Sequence, residues 1–306
     1  HCERYHACDL SAQAIRYVGE QLSGVDLGGC EVSLNVGSAL EVPPAIAPAS
    51  LDCVLLNSVV QYFPDADYLR AVLARWRPHL RPGGCFFIGD VRNHALDDVF
   101  HGSVALFQKG PQATVAEWRD ELALRTDRDS ELTLTPAFFA GLASSLPGVS
   151  AVVCLAKQAE SDNEMTKFRY DVVIVVDEHA DLLQPARWQT WSPSEGEAAV
   201  ARLLAQDPGA VIGVAGVPDA RLAANRQQVL ALLNAPTADR VGAVVERAVA
   251  LAQGTTPQRL MALASAHGCV ACCGGRGSDL AGHFDVVFYR PSMRRSERSA
   301  LPLPKQ

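Results

Sequence analysis

Apolar and polar positions alternate along this chain in blocks of two kinds, short runs of strand length and longer segments of helix length. The pattern predicts strands at Arg4–Cys8, Glu31–Val36, Leu51–Ser58 and Cys85–Asp90, with helices over Ala12–Leu22 and Ala66–Leu80. Such alternation is the signature of a parallel sheet with covering helices. After Asp90 the pattern turns helical and more polar, with helices expected over Leu96–Lys109, Val115–Arg125 and Pro136–Ser145, read as a lid over the sheet edge. Two more strands, Val149–Leu155 and Phe168–Val176, are joined by the polar turn Glu160-Ser161-Asp162-Asn163-Glu164, which predicts an antiparallel pair ending a first domain.

The segment Asp181–Ser194 breaks the periodicity with two Pro and two Trp and marks a boundary. Beyond it come helices at Glu195–Ala205, Leu222–Leu233, Val241–Ala252 and Pro257–His267, and strands at Ala210–Val217, near Cys269–Cys273 and at Phe284–Tyr289. The expected organisation is therefore an α/β core over residues 1–180, a smaller α/β C-terminal subdomain over 181–293, and a loose basic, then Pro-rich tail over 294–306. The chain opens on His1 and enters a strand by Arg4, which reads as a piece cut from a longer chain.

Composition narrows the functional classes. With 306 residues and 48% hydrophobic content, the chain can bury a large core. A net charge of −7 leaves no basic excess for a phosphate backbone, so nucleic acid is not the expected partner. No apolar run approaches the roughly 20 residues of a membrane helix. The nine cysteines lack the spacing of a secreted disulfide scaffold, which suits a reducing cytoplasm. The tightest group, Cys269, Cys272 and Cys273, has no second Cys or His pair at metal-ligand distance and reads as buried thiols, so no metal is expected.

Several residues carry candidate chemistry. Asp9 ends the first strand and precedes a helix, the place where doubly wound sheets put a carboxylate that accepts ribose hydroxyls; it is equally suited to cap that helix. The run Leu51–Pro64 passes from a buried strand into a polar-aromatic turn, placing Asn57 and Ser58 at the ligand-binding edge. Leu80-Arg81-Pro82-Gly83-Gly84 forms a turn ahead of the next strand. Asp219, at the start of a helix after Val211–Val217, admits a bound anion or a structural turn. Gly274-Gly275-Arg276-Gly277 lacks the continuation of a phosphate loop and reads as a flexible hairpin.

Taken in order, Tyr5–Ser11, Leu51–Pro64, Leu80–Gly84 and Gly89–Asn93 resemble the motifs of class I S-adenosylmethionine-dependent methyltransferases. Adding Asn163–Asp171, Gly213–Arg221, Thr256–Leu260 and His283–Phe288 narrows the resemblance to the methyltransferase domains embedded in the adenylation domains of nonribosomal peptide synthetases. The resemblance implies a Rossmann-like sheet, mostly parallel with a C-terminal antiparallel strand pair. It also implies that the family's first strand and glycine loop, about 20 residues upstream of the acid, fall before His1.

The resemblance further implies S-adenosylmethionine as cofactor, held by Asp9, Leu10, Ser38, Ala39, Asn57 and Ser58. It implies methyl transfer to an aminoacyl thioester on a phosphopantetheine carrier protein, most often at the α-amine, beside a flanking adenylation domain and its small helper protein. An α-amine with a pKa of about 7.7 to 8.0 is partly neutral near pH 7, so a carboxylate or carbonyl can orient it and take its proton. The candidates for that are Asp90, Asn93 and Glu164, the last expected at a strand start; Gln61, Tyr62, Arg92, His101, Gln108, Arg169 and Tyr170 are candidates to line the substrate pocket. Plainer readings stand beside these: Asp90 clamped by Arg92, Glu164 paired with Lys167 or Arg169, His101 merely packed, Tyr62 and Tyr170 in the core. Side-chain O- or S-methylation, a non-catalytic structural insert and a NAD-dependent dehydrogenase remain alternative functions.

Overall fold

A computed structural model of the chain describes residues 2–159, 161–177, 185–206, 209–248, 254–275 and 280–291. Its first unit is β1 (Arg4–Asp9), α1 (Ala12–Leu22) and β2 (Glu31–Val36), in which the two strands pair in parallel from Arg4 beside Glu31 to Asp9 beside Val36. Ser11 starts the helix by accepting the Ala14 N–H at 3.1 Å.

The remaining strands make one nine-stranded sheet. They are β3 (Leu51–Asn57), β4 (Leu80–Asn93), β5 (Thr133–Leu134), β6 (Val149–Ala156), β7 (Arg169–Val176), β8 (Arg187–Thr190), β9 (Ile212–Pro218), β10 (Val270–Gly275) and β11 (His283–Tyr289). Their order is β3-β4-β7-β6-β10-β11-β9-β8, with β5 beside the end of β4. β3 and β4 are parallel, as are β8 and β9, and the strands between β4 and β9 are antiparallel neighbours. The fold is thus the expected Rossmann-like α/β class with a mixed sheet, and its antiparallel part continues past β6 and β7 into the C-terminal strands.

The helices are α2 (Ala66–Trp76), α3 (Asp97–Lys109), α4 (Val115–Arg128), α5 (Pro136–Ser145), the single turn α6 (Glu164–Lys167), α7 (Glu197–Gln206), α8 (Ala220–Asn234), α9 (Val241–Ala248) and α10 (Pro257–Ala266). One core runs along the sheet: Phe86, Ile88, Val172 and Ile174 near its front share a cluster with Phe284, Val286 and Phe288 from its C-terminal strands. A second cluster gathers α3, α4, α8 and α9 around Trp118, whose indole N–H donates to Gly102 O at 3.0 Å. Gly102 is required there, because a Cβ would press on Val229 and on the Trp118 ring. Arg119 satisfies the end of α8 by donating to the carbonyls of Leu232, Leu233 and Ala235.

Local chemistry explains where the elements differ from expectation. The helix expected to reach Leu80 stops at Trp76, since Pro78 in the following 3-10 turn has no N–H to continue it. The strand expected to end at Asp90 runs to Asn93, because Arg92 pairs with Arg169 on one side and Thr133 on the other. Glu164 begins a helical turn and not a strand: the Asn163 carboxamide accepts the Thr166 N–H at 3.2 Å while Thr166 Oγ1 accepts the Asn163 N–H at 3.3 Å. Arg187–Thr190, inside the expected boundary segment, is strand β8 pairing with β9.

The boundary at residue 181 itself, the 276–279 part of the expected hairpin and the tail over 294–306 lie outside the described residues. Gly274 and Gly275 belong to β10 and pair with Leu155 and Cys154. No helix among the described residues is long and apolar enough to cross a membrane.

Among the described residues β1 and β2 pair only with each other, β3 only with β4, β5 only with β4 and β8 only with β9, and Leu55 on β3 is 50% exposed. If the sheet shares one core from front to back, Phe284→Ala should lower stability by about 3–5 kcal/mol. In urea unfolding, Trp76 and Trp188 fluorescence should report that loss as one common midpoint shift; separate midpoints would show two independent units.

Candidate active site

β3 ends, and β4 breaks its register with β7 between Ile88 and Val91, at two residues in the left-handed region, Ser58 at φ 56° and Asp90 at φ 63°. Neither is glycine, so each conformation costs about 1–3 kcal/mol, and it is held by neighbours. The Ser58 N–H donates to Gly89 O at 3.2 Å, and the Ser58 hydroxyl donates to Asp90 Oδ2. A Cβ at position 89 would collide with Asn57 Oδ1, so glycine is what lets the two strand ends approach.

Asp90 is 8% exposed and both its oxygens are occupied. Lys157, just past β6, puts its ammonium on Asp90 Oδ1 and on Asp171 Oδ1 of β7, the latter at 2.5 Å. Asp171 Oδ1 also accepts the Asp90 N–H at 2.9 Å. Burial pushes the Asp90 carboxyl up, but hydrogen bonds from Lys157 and Ser58, with the Lys157 and Arg169 charges, outweigh it and hold the group below its ordinary range. Asp90 is therefore a fixed anion, well suited to orient a dipole or cation and poorly suited to take up a proton. Gln61, buried behind this turn, donates from Nε2 to Ser58 O at 3.1 Å, and its Oε1 has no partner.

A cavity of about 410 Å³ has a lining that includes Arg92, His101, Asp129, Glu164 and Arg169. Four of these are candidates from the sequence, and β4, α3, the end of α4, α6 and β7 bring them together. Arg92 is not the partner of Asp90: its guanidinium donates to Asp129 at 2.6 Å, to Glu131 at 3.3 Å and to Asp97 at 3.4 Å, and lies 5.0 Å over the Phe100 ring. His101 Nε2 sits 3.0 Å from Asp129 Oδ2. Glu164 accepts from Arg169 at 2.6 Å, the plainer pairing considered for it, whereas Lys167 pairs with Asp162. Burial raises the Asp129 carboxyl, and the Glu131 N–H together with Arg92 and His101 more than reverses this.

The other candidates fall elsewhere. Asn93 is buried and accepts the Ala95 N–H at 3.1 Å. Tyr170 is buried with its hydroxyl donating to Leu134 O at 2.9 Å and its ring edge-on to Phe139. Tyr62 is 72% exposed, and Gln108 is exposed and not among the residues lining the cavity, so the face expected to join it to His101 is not shared. Asp9 uses Oδ1 to accept the Ser11 N–H at 2.7 Å, and its second oxygen has no partner; Leu10 beside it is 77% exposed. Ser38 donates to Glu41 at 3.1 Å, and Ala39 O accepts the Trp76 indole N–H at 2.6 Å. Asp219 fills the start of α8 with its own carboxylate, paired to Arg221 at 2.6 Å, which leaves that position to a structural turn and not to a bound anion.

Sequence reasoning missed Lys157, Asp171 and Asp129 as site residues. Lys157 had a readable signal: it is a cation ending the apolar run Val149–Ala156, and the β6–β7 register, with Leu155 beside Asp171, carries it to the Asp90 end of the sheet. Asp129 had none, since its partners Arg92 and His101 are 37 and 28 residues away.

Comparison with known proteins gives three findings. The profile of a methyltransferase domain matches residues 1–86. Chondramide synthase cmdD of Chondromyces crocatus is 35% identical over 234 residues, 71% of this chain and 6% of that protein. Nonribosomal peptide synthetase kk1B of Curvularia clavata is 29% identical over 225 residues, 71% of this chain and 2% of that protein. The chain thus spans a small fraction of the length of its relatives. The solved N-methyltransferase NodS from Bradyrhizobium japonicum WM9, in complex with S-adenosyl-L-homocysteine, aligns over 58% of this chain and 69% of its own at 16% identity, with a TM-score of 0.37.

Because the Asp90 carboxyl titrates lower in the folded chain than in the unfolded one, its contribution to stability is complete above the ordinary value near 3.8 and is lost as pH falls through the folded value. Asp90→Asn should therefore flatten the acid limb of the stability profile below about pH 4, read by urea midpoints at stepped pH. An unchanged acid limb would contradict the assignment of Asp90 as a fixed anion.

Proposed function

We infer that this chain, a methyltransferase-type domain whose relatives are nonribosomal peptide synthetases, transfers a methyl group from S-adenosylmethionine to the α-amine of an aminoacyl thioester carried by a carrier protein. The observation that carries this reading is the fixed Asp90 anion, locked by Ser58 and Lys157 where β4 runs beside the carboxyl end of the parallel strand β3, the edge at which open α/β sheets bind ligands.

The residues at hand fit the cofactor. Asp9 presents an unpartnered carboxylate oxygen and Leu10 an exposed apolar side chain at the end of a parallel strand, a donor set suited to a ribose diol and a purine face. Asn57 ends β3, which is parallel to β4, and Ser58 follows it. When bound, S-adenosylmethionine supplies an electrophilic methyl group on a sulfonium. The protein's own share is to orient the acceptor, exclude water and manage its proton. Asp90, its carboxylate held by Lys157 and Ser58, fixes the shape of that edge, and Glu164, which lines the cavity, positions the amine.

The unpaired edges of β1 and β3 support a further part of this reading, that a strand supplied by the flanking synthetase inserts between them and brings the loop that completes the cofactor site. Carrier and adenylation domains are the partners this setting implies.

Calorimetric titration of S-adenosylmethionine should show binding by a longer form that supplies this strand, at least about tenfold weaker in its Asp9→Ala variant, with the thermal midpoint unchanged because Asp9 is exposed. Fragmentation mass spectrometry of the loaded carrier should then place the added methyl on the α-amine. No binding by the longer form sinks the enzyme reading; a methyl on side-chain oxygen or sulfur sinks the acceptor assignment.

A further inference from the structure

Cys53 on β3 and Cys85 on β4 stand directly opposite each other in the parallel ladder, and their sulfurs are 3.7 Å apart. Both thiols are free, and neither takes part in the bonds around Asp90. They lie on the outer face of the sheet, where the exposed Cys53, Leu55 and Asn57 alternate with the buried Val54 and Leu56. Cys85 and Phe87 continue that face on β4 and are half-buried. A small reagent therefore reaches the pair from solvent.

The backbone already stands at bridging separation. Adjacent strands run about 4.8 Å apart, inside the roughly 4.4–6.8 Å between Cα atoms that a disulfide spans. Ionisation is also shared out between the two sulfurs. The hydrogen bond between the thiols holds Cys85 below the ordinary range, against the opposing effect of burial, and holds Cys53 above it. Cys85 is thus the sulfur that ionises first, and it does so beside a second thiol placed to resolve the bond it makes.

We propose that Cys53 and Cys85 form a redox-modification site, closed to a disulfide by a low-molecular-weight disulfide and reopened by a thiol, and that the closed form pins the register of β3 on β4. The ladder between these strands is irregular from Leu51 to Cys53 and regular from Cys53 beside Cys85 to Asn57 beside Gly89. The thiol pair stands at the first regular step, on a strand that has no second neighbour among the described residues. A bond there fixes the path to Asn57, whose side chain lies close over Gly89 where the strand ends meet. Its formation does not depend on methyl transfer.

In the first step the Cys85 thiolate attacks one sulfur of the reagent RSSR. A Cys85–SR bond forms, the reagent's S–S bond breaks, and RS⁻ leaves and takes the proton that Cys85 released. Cys53 then gives up its proton and attacks the Cys85 sulfur, which forms the Cys53–Cys85 bond and expels the second RS⁻ to take that proton. Two protein thiols are oxidised, one RSSR is reduced to two RSH, and the chain loses two hydrogens.

The test treats the full chain with oxidised glutathione, alkylates the remaining thiols and maps the peptides by mass spectrometry without reduction. Fragmentation distinguishes Cys53 from Cys30, which shares its tryptic peptide. The expected product is a Cys53–Cys85 link, lighter by two hydrogens and reopened by dithiothreitol. Cys53→Ser should stop at a glutathione adduct on Cys85. In the linked chain the amides of Val54–Asn57 should exchange hydrogen more slowly than in the reduced chain, an effect absent from Cys53→Ser.

A stable glutathione adduct on Cys53 or Cys85 of the unsubstituted chain without a link between them overturns the proposal. So does a link from either to another cysteine, or both thiols staying free while the exposed Cys8 is modified. Unchanged exchange at Val54–Asn57 in the linked chain overturns the pinning of the register. The mapping needs no substitution, so it stands even where a variant fails to fold, and it is separable from the methyltransferase reading, which S-adenosylmethionine binding decides.

Discussion

A single ammonium shared by two carboxylates holds together the strands of the candidate site. Lys157 reaches Asp90 on β4 and Asp171 on β7, and Asp171 in turn accepts the Asp90 backbone N–H. Asp90 is buried while Lys157 and Asp171 are partly exposed, so removing the ammonium leaves the buried Asp90 charge without its partner. The strained left-handed turn at Asp90 persists only because these bonds fix it, and Ser58 inherits its own unusual conformation by closing onto the same carboxylate.

From that node the two halves of the site diverge. Toward β3 lie Asn57, Ser58 and a strand edge with no neighbour among the described residues. Toward the helices lies the cavity, where Arg92 gathers Asp97, Asp129 and Glu131 and so ties the starts and ends of α3 and α4 to the sheet. The polar helices after β4 are therefore held over the sheet edge by one buried guanidinium.

Much of this was legible in the sequence because local rules decided it. The apolar runs of β1, β2 and β3 stand where periodicity puts them, and α1 and α5 begin at Ser11 and Thr135, whose side chains cap them. Local rules also decided the misplaced end of α2, since Pro78 was available to be read. What escaped reading is what distance in the chain conceals. Asp129 and His101 meet only because α3 and α4 pack against each other, and Lys157 finds Asp90 only through the antiparallel register of β6 and β7 with β4. β8 is hidden by Pro and Trp residues that break an alternating pattern, although its pairing with β9 makes it a strand. Glu164 reads as the start of a strand because β7 follows five residues later, and the Asn163 cap overrides that with one helical turn.

The dependence of the cofactor site on the shared ammonium is the claim most exposed to failure. The direct measurement is the S-adenosylmethionine affinity of Lys157→Met in the longer form of the chain, with its far-ultraviolet dichroism unchanged. The account predicts a loss of at least about tenfold, because Asp90 and Ser58 are released from the turn that Lys157 fixes. An affinity equal to that of the unsubstituted chain would show that the strand ends hold their shape without the ion pair, and would contradict it.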